Sequence, residues 1–210
     1  MRFLPIAVDL RGRRAVVVGG CAQAARRVGQ LAAAEASVRV IAPRVSRSLA
    51  EVASRCGAEV VPRRYRDGDL SLARVAFVTS RDGGVRRAVA EEARRRSVWL
   101  HVEDAPELSD FAMPALLRRG AVTVAVGTGG ASPALARWLR DEIGRAWGDE
   151  LGRAAEHLAM LRRRLPAGKA RRRAFARLLA DGLVDAFRRG DASRVAVLTE
   201  RACGSPPGAS

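Results

Sequence analysis

From the N-terminus to about Val102, short runs of β-branched residues alternate with stretches of helical periodicity, and this alternation constrains the fold more than any other feature. The runs are Ala15 to Val18, Ser37 to Ile41, Ala58 to Val61, Val75 to Thr79 and Val98 to Val102. Between them, Ala22 to Ala34, Val45 to Cys56 and Gly83 to Arg96 carry helical spacing. Repeated strand–helix–strand units imply an α/β fold, a parallel sheet covered on both faces, with ligands bound beyond the carboxyl ends of the strands. Gly19 to Gln23, Ala42 to Arg44, Thr79 to Asp82 and Glu103 to Asp104 are therefore expected around one crevice.

The first strand runs into Gly19-Gly20-Cys21-Ala22-Gln23-Ala24, a Rossmann-like opening. Of the three positions in G-x-G-x-x-G, Gly19 fits the first, Cys21 occupies the second and Ala24 takes the third, where Ala is accepted. The second glycine normally lets backbone approach a pyrophosphate, and Cys21 adds a side chain at that point.

A different plan begins after Met113-Pro114: one strand over Ala121 to Val126, the loop Gly127-Thr128-Gly129-Gly130-Ala131-Ser132-Pro133, and an amphipathic helix from Ala134 to Trp147. Ser132 suits an N-cap and Pro133 the first helical position. Glycine backbone in front of a helix start makes an anion site, fit for phosphate or carboxylate. From about Asp149 the pattern is helical only. Leu151, Ala154, Ala155, Leu158 and Leu161 recur before the breaker Pro166-Ala167-Gly168, a second helix runs through Leu183, and a third lies near Ala192 to Ala202. The Gly-, Pro- and Ser-rich residues 204–210 read as a disordered tail.

The formal net charge of +16 is almost entirely arginine, since Lys169 is the only lysine. Planar guanidinium forks suit carboxylate and phosphate partners. Nucleic acid is one such partner, but nine aromatics and no recognisable nucleic-acid motif leave that reading on charge alone. No apolar run approaches the roughly 20 residues of a membrane span, and Met1 to Leu10 carries Asp9 without a cleavage pattern, so a cytoplasmic protein is expected. Cys21, Cys56 and Cys203 are odd in number and widely spaced, which suggests neither a disulfide framework nor a zinc site.

Several of these residues together resemble the precorrin-2 dehydrogenase and sirohydrochlorin ferrochelatase module of sirohaem synthesis. They are Leu4-Pro5, Asp9-Leu10-Arg11-Gly12, Val16-Val17-Val18 into Gly19-Gly20, Ala24 with Arg26-Arg27, Ala42-Pro43, Val102 with Asp104, Phe111 with Met113-Pro114, and Gly129 to Arg137. The resemblance covers residues 1–147 and implies an NAD-binding Rossmann-like domain over 1–113, a small α+β dimerisation domain over 114–148 and a helical domain over 149–203. It is to the form without the fused methyltransferase, because the sequence stops at Ser210. The implied reaction is NAD-dependent removal of two hydrogens from precorrin-2 to give sirohydrochlorin, with insertion of ferrous iron in members that also chelate. The substrate is an octacarboxylate, which gives the arginine excess a chemical reason.

By the same resemblance Asp104 is the catalytic aspartate, although a loop aspartate in Asp104-Ala105-Pro106 is also a common turn residue. Gly19, Gly20, Cys21, Ala22 and Gln23 with Pro43 and Arg44 are implied at the cofactor, and Thr128, Gly129, Gly130 and Ser132 at substrate carboxylates. The second turn lacks an acid for a ribose 2′-hydroxyl, so Arg44 leaves NADP open as an alternative to NAD. Departures from the family pattern are Cys21, His101 in place of Asn, Glu103 in place of an apolar residue, and Ser80-Arg81 in place of Thr-Asp. His101 is open to an acid/base, metal-side or structural role, and His157 reads as a partly exposed helix residue. No metal ligand set is identifiable. The reading that competes with an active enzyme is a homologue that binds tetrapyrrole or metal without oxidising anything.

Overall fold

The computed structural model describes residues 3–203; the tail expected over 204–210 lies outside them. They form two compact units that divide after Ala112.

The first unit is built on strands β1 (Arg14–Val18), β2 (Ser37–Ile41), β3 (Glu59–Val61), β4 (Ala73–Val78) and β5 (Trp99–Val102). All pair in parallel, in the order β3-β2-β1-β4-β5. Central β1 has Ala15 to Val18 buried throughout, as a strand covered on both faces requires. Val16 and Val18 join Val89, Ala90 and Ala93 of α3 (Gly83–Arg96) in one core cluster. Side-chain alternation sends Ala15 and Val17 to the opposite face, which is closed by α1 (Ala22–Ala32) with Ala24, Ala25, Val28 and Leu31 buried, beside α2 (Arg47–Cys56). Chain order reverses direction across the sheet between β1 and β4, so the loops after these two strands diverge and leave a crevice.

Cap chemistry sets the helix starts. Ser46 Oγ accepts from Leu49 N–H at the start of α2, and Asp82 Oδ1 accepts from Gly84 and Val85 at the start of α3. Between β3 and β4 the chain is held by buried Glu92, which accepts from the Tyr65 hydroxyl, Leu70 N–H and Arg96.

The second unit opens with an antiparallel hairpin, β6 (Ala115–Arg119) and β7 (Val122–Val126). One strand was expected here; β6 is a second, and Gly120 at φ +55 makes the tight turn between them. A side chain on Gly120 would meet Gly152 Cα at 2.9 Å, so α5 (Glu150–Arg164) backs directly onto this turn. Next come α4 (Pro133–Ala146), packed on the hairpin, and after α5 the helices α6 (Lys169–Ala180), α7 (Leu183–Arg189) and α8 (Ala192–Cys203). The helix expected to run through Leu183 is two helices, broken at Gly182 in the left-handed region (φ +92). Leu161, Leu178, Leu183, Ala186 and Leu198 fill the core among them.

Candidate active site

At the carboxyl ends of β1 to β4 lies a cavity of about 720 Å³ lined by Gly19, Gly20, Cys21, Gln23, Pro43, Arg44, Arg64, Thr79, Ser80 and Arg81. Three of the four stretches expected there meet in it. The two glycines are required by packing: a Cβ on Gly20 would lie 1.8 Å from the Arg44 carbonyl oxygen, and one on Gly19 would lie 2.4 Å from Thr79 Oγ1. Ser46 N–H donates to the Gly20 carbonyl at 2.7 Å, fastening the first loop to the second. The missing side chains bring three loops together and so create the cavity, beyond any need to admit a ligand.

Cys21 is the N-cap of α1, and its Sγ lies 3.7 Å from Gln23 Oε1 and 3.9 Å from the Thr79 carbonyl. Burial pushes the thiol up, but the N–H of Ala24, the Thr79 side chain and the N–H of Gln23 outweigh it and hold the pKa below the usual thiol range. The sulfur thus occupies part of the positive helix terminus that would otherwise face an anion. Ala22 lies at the exposed start of α1 and does not line the cavity. Thr79 Oγ1 is buried at the cavity wall, where it faces the Cys21 thiol and has no other partner among the described residues. Packed loops that exclude any side chain at Gly19 and Gly20, together with a helix N-terminus, fit a phosphorylated ligand such as a dinucleotide.

The β5 end is arranged differently. Glu103 turns to α1, taking two hydrogen bonds from Arg27 at 2.8 and 3.1 Å and one from Arg26 at 3.4 Å, with His101 Nε2 at 3.5 Å. The His101 hydrogen bond, and then Arg27, hold the Glu103 carboxyl at about 2 against the cost of burial. Arg27 is buried and its guanidinium also lies over the Phe77 ring. His101 Nδ1 lies 3.1 Å from the Phe111 carbonyl oxygen, so both ring nitrogens have partners. The two departures at 101 and 103 therefore complement each other structurally. Neither Glu103 nor Asp104 is among the cavity-lining residues. Asp104 is exposed, sits at φ +58, and its carboxylate has no partner among the described residues. Ser109 Oγ, bonded to Val102 and Ala105, closes the turn that carries it.

In the second unit Ser132 Oγ accepts from Leu135 N–H, the cap expected of it. Thr128 Oγ1 donates to the Ser132 carbonyl and accepts from Ser132 N–H, so that hydroxyl holds the loop's own shape. Gly129 and Gly130, at φ +64 and +92, have open space where side chains would be. No group of three metal-ligating side chains gathers among the described residues, and no described helix is long and apolar enough to cross a membrane. His157 bonds Thr199 at 2.9 Å, and burial lowers its pKa. Sequence reasoning passed over Arg64, although its place just beyond β3, at the same end of the sheet, was the available signal.

A family model for NAD(P)-binding matches residues 6–115, and a second, for the sirohaem biosynthesis protein central segment, matches residues 119–146. The siroheme synthase of Chromobacterium violaceum is 37% identical over 195 residues, 91% of this chain and 42% of that protein. That of Thioalkalivibrio sulfidiphilus is 34% identical over 200 residues, covering 92% and 41%. The chain thus spans about two fifths of the length of these relatives. Among solved structures, SirC, a precorrin-2 dehydrogenase, superposes with a TM-score of 0.76 over 95% of this chain and 98% of its own, at 21% identity, a likeness of fold.

Proposed function

The chain belongs to the sirohaem synthase family, with the NAD(P)-binding module followed by the central segment of sirohaem biosynthesis, and we propose that it dehydrogenates precorrin-2 to sirohydrochlorin with NAD. The observation that carries this reading is the pairing of a phosphate-ready cavity at the ends of β1 to β4 with an unpartnered carboxylate, Asp104, at the end of β5. Gly19, Gly20, Cys21, Gln23, Pro43 and Arg44 are the residues that hold the dinucleotide. When bound, NAD supplies the hydride acceptor. Asp104 takes the proton released as the substrate is oxidised, so that precorrin-2 loses one hydride and one proton. Its carboxylate is free to do so because Glu103, not Asp104, neutralises Arg27.

The second glycine loop meets the substrate's carboxylates. The Thr128 hydroxyl donates within the loop, whereas Ser132 Oγ only accepts from Leu135 N–H, so the donors left for an anion are the Ser132 O–H and the N–H groups of Gly129 and Gly130 ahead of α4. The arrangement proposed for the chain is a dinucleotide domain over 1–113, a dimerisation domain over 114–148 and a helical domain over 149–203, acting as a cytoplasmic homodimer with no nucleic acid or membrane partner. Anaerobic incubation with precorrin-2 and NAD, with and without ferrous ion, tests the reading. Sirohydrochlorin and NADH should appear in equal amounts, and sirohaem in the ferrous arm assigns iron as a second substrate. The position of the Cys21 sulfur favours one other reading, a homologue that binds tetrapyrrole without oxidising it; absence of dinucleotide binding would be its mark.

A further inference from the structure

The cavity at the ends of β1 to β4 contains three arginines, Arg44, Arg64 and Arg81, and no carboxylate. A pocket that selects the unphosphorylated dinucleotide ordinarily carries Asp or Glu about 20 residues beyond the glycine loop, at the end of the second strand. There the carboxylate accepts from the ribose 2′-hydroxyl and repels a 2′-phosphate. Here that place is taken by Ala42, which is buried, followed by exposed Pro43 and Arg44. The Arg44 side chain has no hydrogen-bond or ion-pair partner among the described residues. Behind it Ser46 caps α2, which has no acidic residue in its first turn, so the helix adds to the positive potential.

Arg64 follows the neighbouring strand, since β3 ends at Val61 and lies beside β2. The residues on either side of it are committed elsewhere: Arg63 is clasped by Asp69 through two bonds of 2.7 Å, and the Tyr65 hydroxyl donates to buried Glu92. This fixes the backbone at Arg64 while leaving its guanidinium unpaired at the cavity. Arg44 and Arg64 therefore stand together on the β2–β3 side, where the acid of an NAD-selective site would be, and Arg81 follows β4 across the crevice. Two planar forks without counter-ions match a dianionic phosphate through paired, charge-assisted bonds, whereas a neutral hydroxyl offers them only a single weaker acceptor.

We propose that this pocket accepts the 2′-phosphorylated dinucleotide NADP at least as tightly as NAD, with Arg44 and Arg64 holding the 2′-phosphate. This rests on reading the cavity as the dinucleotide site. Calorimetric titration of the full chain with NAD and with NADP tests it without reference to turnover. The expected result is a Kd for NADP equal to or below that for NAD, with an advantage that shrinks as salt is raised. Arg44→Glu and Arg64→Ala should each move the ratio of the two constants toward NAD, by about tenfold or more for the charge reversal, the loss of one charge-assisted contact. Both side chains are exposed, so circular dichroism should show the fold unchanged. NAD bound measurably tighter than NADP, or a ratio unmoved by both substitutions, overturns the proposal and leaves the dehydrogenase reading intact. Binding of neither dinucleotide overturns both.

Discussion

Asp104 holds a left-handed backbone that few side chains tolerate, Asp and Asn among them. Asp104→Asn therefore keeps the turn, while the amide cannot accept a proton. Sirohydrochlorin formation should fall about 100-fold to 10,000-fold, with dinucleotide affinity unchanged in a parallel titration. More than about a tenth of wild-type turnover would exclude a general base of that usual strength. His101 and Glu103 are poorer replacements, since each is already committed to partners. Cys21 tests the other end of the site. Its sulfur lies among the N–H groups that open α1, so Cys21→Gly should tighten dinucleotide binding by on the order of 1 kcal/mol, about one recovered hydrogen bond. The lowered thiol pKa adds a second readout: alkylation of Cys21 should be faster than that of a free thiol at the same pH, and slow when dinucleotide is present. Alkylation indifferent to the ligand would mean that the sulfur lies clear of the bound phosphates.

At the scale of elements, strand positions were legible because continuous apolar runs such as Ala15 to Val18 are what a strand buried on both faces demands. Helix α3 was legible to its ends, as Asp82 and the arginines of its last turn mark them. Strand β6 was not, because Ala115-Leu116-Leu117-Arg118-Arg119 has neither β-branching nor alternation and is a strand only by its pairing with β7. The break between α6 and α7 hung on the single residue Gly182. In the site, the glycine loops and caps were readable, whereas the Arg27–Glu103 pair spans 76 positions and no local pattern announces it. That pair ties α1 to the end of β5. Glu103→Gln should destabilise the protein by about 3–5 kcal/mol by leaving buried Arg27 uncompensated. Because the Glu103 carboxyl lies at about 2, below its ordinary 4.5, its stabilisation is complete above the ordinary value and fades as pH falls toward 2. Urea midpoints of wild type and variant should therefore converge across that window; a gap independent of pH would assign the loss to packing. The loops impose a second constraint: Gly20→Ala should cost at least about 1–3 kcal/mol, since its methyl and the Arg44 carbonyl cannot share the space.

For the molecule as a whole, the question is what covers the second unit's small sheet. A two-stranded hairpin is marginal by itself, and α4, packed upon it, leaves Leu135 at 47% and Trp138 at 54% exposure, one turn apart on the same helix. Large apolar side chains placed together in this way are what the proposed dimer would cover. Among the described residues β6 and β7 pair only with each other, so a second copy of the hairpin could extend the sheet at an outer edge. Trp147 belongs to a different environment, since Arg188 of α7 lies over its ring. Light scattering at micromolar concentration should accordingly give twice the chain mass. Trp138→Asp should give the single mass with far-ultraviolet circular dichroism preserved, because a charge in an interface core is costly while the same charge on a solvated helix face is tolerated. A wild-type monomer at these concentrations would remove the dimer from the proposed function, and the exposed tryptophan would then need a different partner.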